Sequence, residues 1–412
     1  MQSARVLHAP WILPGDGPAI ADGAVVVGED GAIVEVGRAG SVIPRHAGLP
    51  VEAQPGVLSP GFVNAHTHLE LTWMSGRVPP AGGFAGWVDR LVALRAEETE
   101  KEAREGVARA LDLLARACVA GVGDVSNTLW AEGALAERGF AGSVFHEVFG
   151  LLEGPLLDRI RPMLEAWRTP SARVARAPAP HTLYTTHPSG VRALVAFARA
   201  RGLVTSIHMA EHAAEREAIE RGSGAMPDWF EERVRIPRSE HFYPREPLFD
   251  YAARLGVLGP DVLLVHMTDA RPDELARARD AGSPIVLCPR SNLHIEGRLP
   301  DAARMLDLGL EPALGTDSLA SSPSLDVRAE GLVLVERAGI TSTQAHRMAT
   351  WSGARSLGRL ELGRLAPGAR PGVALAPAPI PVDDPAAHVL SSTALAWVVA
   401  PAPPGAPVEV PS

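Results

Sequence analysis

Two histidines one residue apart, His66 and His68, close the apolar run Ser59-Pro-Gly-Phe-Val-Asn-Ala-His-Thr-His68. Residues i and i+2 of a strand project from the same face. A strand over this run therefore brings both imidazoles off its C-terminal end together, spaced to hold one metal ion. Comparable groups close later apolar runs. Leu203-Val-Thr-Ser-Ile-His-Met-Ala-Glu211 carries His208 with Glu211 three residues on, Val262-Leu-Leu-Val-His266 ends in His266, and Ala313-Leu-Gly-Thr-Asp317 ends in Asp317. Three neutral imidazoles and one carboxylate suit a divalent zinc or iron ion with a position left for water. His66, His68, His208 and Asp317 are the expected ligands. Such an ion lowers the pKa of bound water to about 7, giving hydroxide at neutral pH. Glu211 is placed to carry the proton from that water to a leaving group; the alternative is that it merely opens the next helix, where the dipole favours an acid. His266 is expected to polarise or hydrogen-bond the atom under attack, and Asp317 to orient the nucleophile as well.

Groups on separate runs need a frame that gathers strand ends. Strand-like runs near 61–66, 119–126, 142–149, 174–181, 203–208, 261–267, 284–289 and 312–317 alternate with helical segments, the rhythm of βα units. Eight such strands close a (β/α)8 barrel of the TIM type, whose chemistry sits at the C-terminal strand ends. Arg90 to Ala120 reads as the clearest helical region, with Gly121 as its stop. The connection from about 212 to 260 carries Met226, Trp229, Phe230, His241, Phe242 and Tyr243; its length suits a packed segment or a lid. Residues 1–58 alternate short β runs with Gly, Asp and Pro turns, as a small antiparallel sheet does, and the chain from 361 reads likewise. Its last strand is expected at Ala394–Ala400, followed by an irregular Pro401–Pro407. The expected fold is thus α/β: a (β/α)8 barrel over 59–360, with a small β-sandwich domain built from 1–58 and 361–412.

A chain of 412 residues accommodates such a barrel, and its net charge of −9 argues against nucleic acid or an anionic membrane as the main partner. No run approaches the roughly 18 apolar residues of a membrane span, and the first residues lack the charged-then-apolar layout of a signal peptide. A cytoplasmic location is expected. Cys118 and Cys288, far apart and outside any CxxC, point to neither a disulfide framework nor a thiolate cluster.

Five motifs in order, Pro60-Gly-Phe-Val-Asn-Ala-His-Thr-His68, His208-Met-Ala-Glu211, His266, Cys288-Pro-Arg-Ser-Asn292 and Gly315-Thr-Asp-Ser318, resemble the amidohydrolase superfamily in its cytosine-deaminase-like branch. The resemblance covers nearly the whole chain. Binuclear members bridge two metals with a carboxylated lysine at the end of strand 4. Here Ala177–Thr185 holds no lysine and the chain's one lysine is Lys101, which implies one divalent ion, zinc or iron. A finer resemblance, in His68-Leu-Glu-Leu-Thr72, Pro180-His-Thr-Leu-Tyr-Thr185 and Gly315-Thr-Asp-Ser-Leu-Ala-Ser321, is to purine-nucleoside deaminases, above all the aminodeoxyfutalosine deaminases of the alternative menaquinone pathway. It implies a substrate contact from His181, with Glu70 and Trp87 facing ribose or base. Arg290 is the candidate partner of that substrate's aryl carboxylate, since a guanidinium fork matches a carboxylate. Thr185-Thr-His-Pro188 departs from the more usual Val-Ser-Pro and leaves His187 without a role. The implied activity is deamination of 6-amino-6-deoxyfutalosine. Deamination of adenosine, S-adenosylhomocysteine or guanine, or hydrolysis of a chlorotriazine or cyclic amide, comes next. A homodimer is the implied assembly, and a catalytically silent binding barrel is the remaining alternative.

Overall fold

A computed structural model describes residues 3–80, 83–168, 171, 173–378 and 381–401. Of the expected irregular stretch Pro401–Pro407, all but Pro401 lies outside the described residues. In chain order the strands are β1 (Arg5–Ile12), β2 (Ile20–Val27), β3 (Ile33–Arg38), β4 (Val51–Ala53), β5 (Gly56–Pro60), β6 (Phe62–Thr67), β7 (Val119–Ser126) and β8 (Ala141–Val148). They continue with β9 (Val174–Pro180), β10 (Thr205–Met209), β11 (Val262–His266), β12 (Ile285–Leu287), β13 (Ala313–Leu314), β14 (Val373–Pro377) and β15 (Ala396–Val399).

The two ends of the chain meet in one seven-stranded sheet, ordered β15-β14-β5-β1-β2-β3 with β4 against β1. Leu7, Ile12, Val25 and Leu58 from the first end pack with Val373 and Val399 from the second, and that shared apolar face joins the ends. The expected antiparallel sheet is in fact mixed: β1 pairs antiparallel with β2 but parallel with β4 and β5. The helix Ala39–Arg45 between β3 and β4 makes the crossover that a parallel return requires.

Between the ends, helices alternate with two four-stranded parallel sheets, β6-β7-β8-β9 and β10-β11-β12-β13. Their strands are buried on both faces, as β6 and β10 are at every position, which is the habit of parallel strands covered by helices. Isolated bonds, not continuous ladders, join the two sheets. At one seam His208 N donates to His181 O (3.0 Å) and Thr205 Oγ1 to Pro178 O (2.6 Å). At the other, Thr316 N donates to His66 O (2.9 Å) and Asn64 Nδ2 to Thr316 Oγ1 (2.8 Å). Gly315 makes this second seam possible, because a Cβ there would lie 2.6 Å from His66 Cβ and 2.7 Å from His66 O. The bare backbone lets β13 reach β6.

Two expectations change. The helical region expected over Arg90–Ala120 begins earlier and comprises two helices, Gly83–Arg95 and Glu100–Arg116, the second capped by Thr99, which accepts from Glu102 N (3.3 Å). Gly121 does not stop it but lies inside β7. The 212–260 connection is largely helical, with Ala213–Arg221, Ala225–Trp229, a π turn at Phe230–Val234, a 3-10 turn at Arg238–Glu240 and Leu248–Arg254. Met226 and Phe230 are buried and Trp229, Phe242 and Tyr243 pack against the same core; burying these side chains anchors the segment. Among the described residues no helix is long and apolar enough to cross a membrane.

Candidate metal and catalytic site

The C-terminal ends of β6, β10 and β11, with the turn after β13, bring His66, His68, His208, His266 and Asp317 together. His68 Nε2 lies 3.4 Å from His208 Nε2 and 3.5 Å from Asp317 Oδ1, and His66 Nε2 lies 3.8 Å from Asp317 Oδ1. The ligand atoms of His66, His68 and Asp317 fall within 4.8 Å of one another, as do those of His66, His208 and His266. Zinc–nitrogen bonds of about 2.0–2.1 Å in a tetrahedral shell place neighbouring ligand atoms roughly 3.4 Å apart, so the spacing fits. His66 adds a second sign. It is fully buried, yet neither ring nitrogen has a hydrogen-bond partner among the described residues, and burying polar atoms unpaired is costly unless something binds them.

The protonation states suit ligation. Burial pushes His66 well below its ordinary pKa, reinforced by repulsion from His208 and His68. Burial likewise takes His208 to about 3 and His266 to about 4, so the rings are neutral and offer lone pairs at pH 7. Burial opposes ionisation of Asp317, but the facing His68 and His266 and the Ser291 hydroxyl hold its pKa below the usual value. Asp317 Oδ2 accepts from Ser291 Oγ (2.6 Å) and Ser321 Oγ (3.2 Å), and Oδ1 accepts from Ser318 N (2.7 Å). His208 Nδ1 donates to His181 O (3.0 Å), which turns the Nε2 lone pair toward His68.

Glu211 follows the turn after β10 and sets its Oε1 3.5 Å from His266 Nε2. Burial drives its pKa well above the ordinary value, and the charges of Asp317 and Glu215 add to the rise. Two carboxyls in one site thus differ, the pKa of Asp317 held down and that of Glu211 driven up, the kind of split that assigns acid and base roles. The backbone is strained at the same place. Ala210 (φ 47°), His266 (φ 77°), Met267 (φ 52°) and Asp317 (φ 57°) are four of the nine non-glycine residues with positive φ among the described residues. Each costs about 1–3 kcal/mol and persists only where surrounding bonds enforce it. Here Asp317 N donates to His66 O (3.1 Å) and Met267 N to Met209 O (3.1 Å).

His181 joins the edge of the cluster, its ring centroid 5.0 Å from that of His208. Glu70, Trp87 and Arg290, the other expected substrate contacts, have protein partners of their own. Glu70 is buried and already accepts from Ser126 Oγ (2.7 Å), Thr128 Oγ1 (2.6 Å), the backbone N–H of Asn127 and Thr128 (both 3.1 Å), and Arg95 (3.3 Å). Its acceptor sites are taken. Trp87 packs in the core beside Phe84. Arg290 donates to Ser324 Oγ (2.9 Å) and sits 4.0 Å from the buried side chain of Glu330. His187 caps the helix Pro188–Ala200 by accepting from Ser189 N.

Several supporting residues escaped the sequence reading. Glu147, at the end of β8, holds Oε1 3.6 Å from His208 Nδ1, and Oε2 accepts from Asn127 Nδ2 (3.1 Å). His212 caps the helix after Glu211 by accepting from Glu215 N (3.1 Å), while Glu215 accepts from Glu211 N (3.0 Å). A polar pair closing a strand-like run, as in Phe145-His-Glu-Val148, was the available signal for Glu147.

Parallel strands that converge imidazoles and two unlike carboxyls at their C-terminal ends define a metal-binding α/β hydrolase. The model of the amidohydrolase family matches residues 57–376, and the chain belongs to that family. It is 33% identical over 338 residues, 75% of this chain and 74% of the relative, to an aminodeoxyfutalosine deaminase of Deinococcus radiodurans. The structure is similar to that of Helicobacter pylori aminofutalosine deaminase in complex with methylthio-coformycin, with a TM-score of 0.86 and 21% identity over 97% of this chain and 99% of that one. It is also similar to an adenosine deaminase of Xanthomonas campestris with bound zinc, with a TM-score of 0.77 and 20% identity over 95% and 89% of the two chains.

Proposed function

We propose that this chain is a metal-dependent aminohydrolase that deaminates a purine nucleoside, with 6-amino-6-deoxyfutalosine as its preferred substrate and a place in menaquinone biosynthesis. We read the eight parallel strands as a (β/α)8 barrel over 59–360, and the two ends, 1–58 and 361–412, as a small β-sandwich domain. The observation that carries the function is the facing of Glu211 and His266 at 3.5 Å on the rim of the cluster formed by His66, His68, His208 and Asp317. The identity to the Deinococcus aminodeoxyfutalosine deaminase supports the substrate.

In this reading His66, His68, His208 and Asp317 hold one divalent ion, zinc first and iron second. His266 stays outside the shell because its Nε2 faces Glu211 and its Nδ1 lies 3.2 Å from Asn292 Nδ2. The ion, when bound, supplies Lewis acidity that lowers the pKa of a water to about 7. The chain's own groups move the protons. As its carboxylate, Glu211 takes one proton from the attacking water and delivers it to the ring nitrogen, then takes the second from the added hydroxyl and delivers it to the departing amine. Water adds to the carbon bearing the exocyclic amine, the C–N bond breaks and ammonia leaves. His266 steadies the attacking oxygen, and ionised Asp317 orients it. The raised pKa of Glu211 suits a group that must accept a proton and hold it until it is passed on.

The test is ammonia release from aminodeoxyfutalosine, adenosine, S-adenosylhomocysteine and guanine with metal-loaded protein. Fastest turnover of the aryl-carboxylate nucleoside is expected. Turnover of adenosine alone would replace the substrate and keep the mechanism; release of ammonia from none of them would end the reading.

A further inference from the structure

The turn after β9 carries three side chains whose hydrogen bonds run in one direction. Thr182 Oγ1 accepts from the backbone N–H of Tyr184 (3.2 Å) and of Thr185 (3.0 Å), which fills both of its lone pairs. Its single proton then has Thr185 Oγ1, 2.7 Å away, as its partner. Once Thr185 Oγ1 receives that proton, its own goes to His181 Nδ1 at 2.8 Å. Running the chain backward would strand the Thr182 proton in a turn where Thr182 is 2% exposed, and buried donors are rarely left unmade.

A second observation sets the same polarity from the other side of the ring. Glu147 Oε1, buried and without a hydrogen-bond partner among the described residues, lies 4.0 Å from His181 Nε2. A carboxylate oxygen attracts an N–H there and repels a lone pair. We propose that Thr182 and Thr185 are positioning residues that hold His181 with its proton on Nε2, so that His181 meets the substrate as a hydrogen-bond donor. The site therefore selects a substrate acceptor, a ring nitrogen or ribose oxygen, at this point. The inference builds on the aminohydrolase reading, but its first test does not depend on turnover.

That test is imidazole 15N–1H correlation spectroscopy of the zinc-loaded protein, with the His181 signals assigned by their loss in His181→Gln. A proton on Nε2 and a hydrogen-bonded, unprotonated Nδ1 are expected; a proton on Nδ1 overturns the proposal. With the deaminated substrate, Thr185→Val is expected to raise KM about ten-fold, the scale of one oriented hydrogen bond, with kcat nearly unchanged and Thr185→Ser restoring it. An unchanged KM, or a fall in kcat that Thr185→Ser does not restore, refutes the positioning role. Absence of turnover on every nucleoside would sink the deaminase reading while the spectrum still decides the relay.

Discussion

Replacing Ser291 by alanine removes the shortest hydrogen bond to Asp317, the 2.6 Å contact from Ser291 Oγ to Oδ2. Bonds to a charged acceptor contribute about 1.5–3 kcal/mol, and loss of an outer partner of a metal ligand costs about 10- to 100-fold in affinity or activity. The structure points to the lower end. Ser321 Oγ already donates to the same carboxylate oxygen at 3.2 Å and lies 2.8 Å from Ser291 Oγ, so its bond remains, free to shorten, when Ser291 is gone. Ser291→Ala alone is then expected to weaken zinc binding about ten-fold, and Ser291→Ala with Ser321→Ala about a hundred-fold. Chelator competition gives the affinities, and a urea melt of each metal-free variant checks that the fold is intact. A double variant that binds zinc as tightly as the single one, or a single variant indistinguishable from the parent, would refute the support that Asp317 is argued to receive.

Glu211→Gln is expected to lower kcat by about 10²- to 10⁴-fold, the span of general acid–base catalysis, while zinc content measured by elemental analysis stays at one ion per chain. His208→Ala is expected to lose the ion instead, seen as depleted zinc in the purified protein; full zinc content would remove His208 from the ligand set. Stability should also depend on pH through His346, which is buried beside Ser59 Oγ (2.8 Å) and pushed by burial down to about 4. The unfolded ring takes its proton near pH 6.5 and the folded one only near 4. The contribution of the neutral ring is therefore complete above about pH 6.5 and lost as pH falls through 4, about 3 kcal/mol in all. Urea midpoints measured from pH 7 to 4 should fall less steeply in His346→Gln, and an equal slope would exonerate the histidine.

The metal cluster was legible because its signal is local. The i, i+2 pair His66 and His68 and the single polar residues ending apolar runs at His208, His266 and Asp317 each announce a strand end without knowledge of the neighbours. Arg290 is the opposite case: its neighbour Glu330 lies forty residues away, and nothing at either position marks the pair. Glu147, Ser291 and Asn127 matter through what the fold brings beside them, which spacing does not encode. The break at Thr99 is different. Its Thr-x-x-Glu signature was present in the sequence, but amphipathic residues on both sides masked it. The 212–260 segment was read by length, whereas burial of Met226 and Phe230 decides its packing.

The seam at Gly315 has a mechanical meaning. His66 and His68 belong to the sheet that begins with β6, His208 and Asp317 to the one that ends with β13, and few backbone bonds join the two halves. An ion gripped by all four side chains would act as a clasp across that joint. The same coordination that prepares the chemistry would then keep the two halves from parting, and the enzyme stripped of metal would open first along this line, exposing the β6 and β13 amides to exchange before the rest of the core.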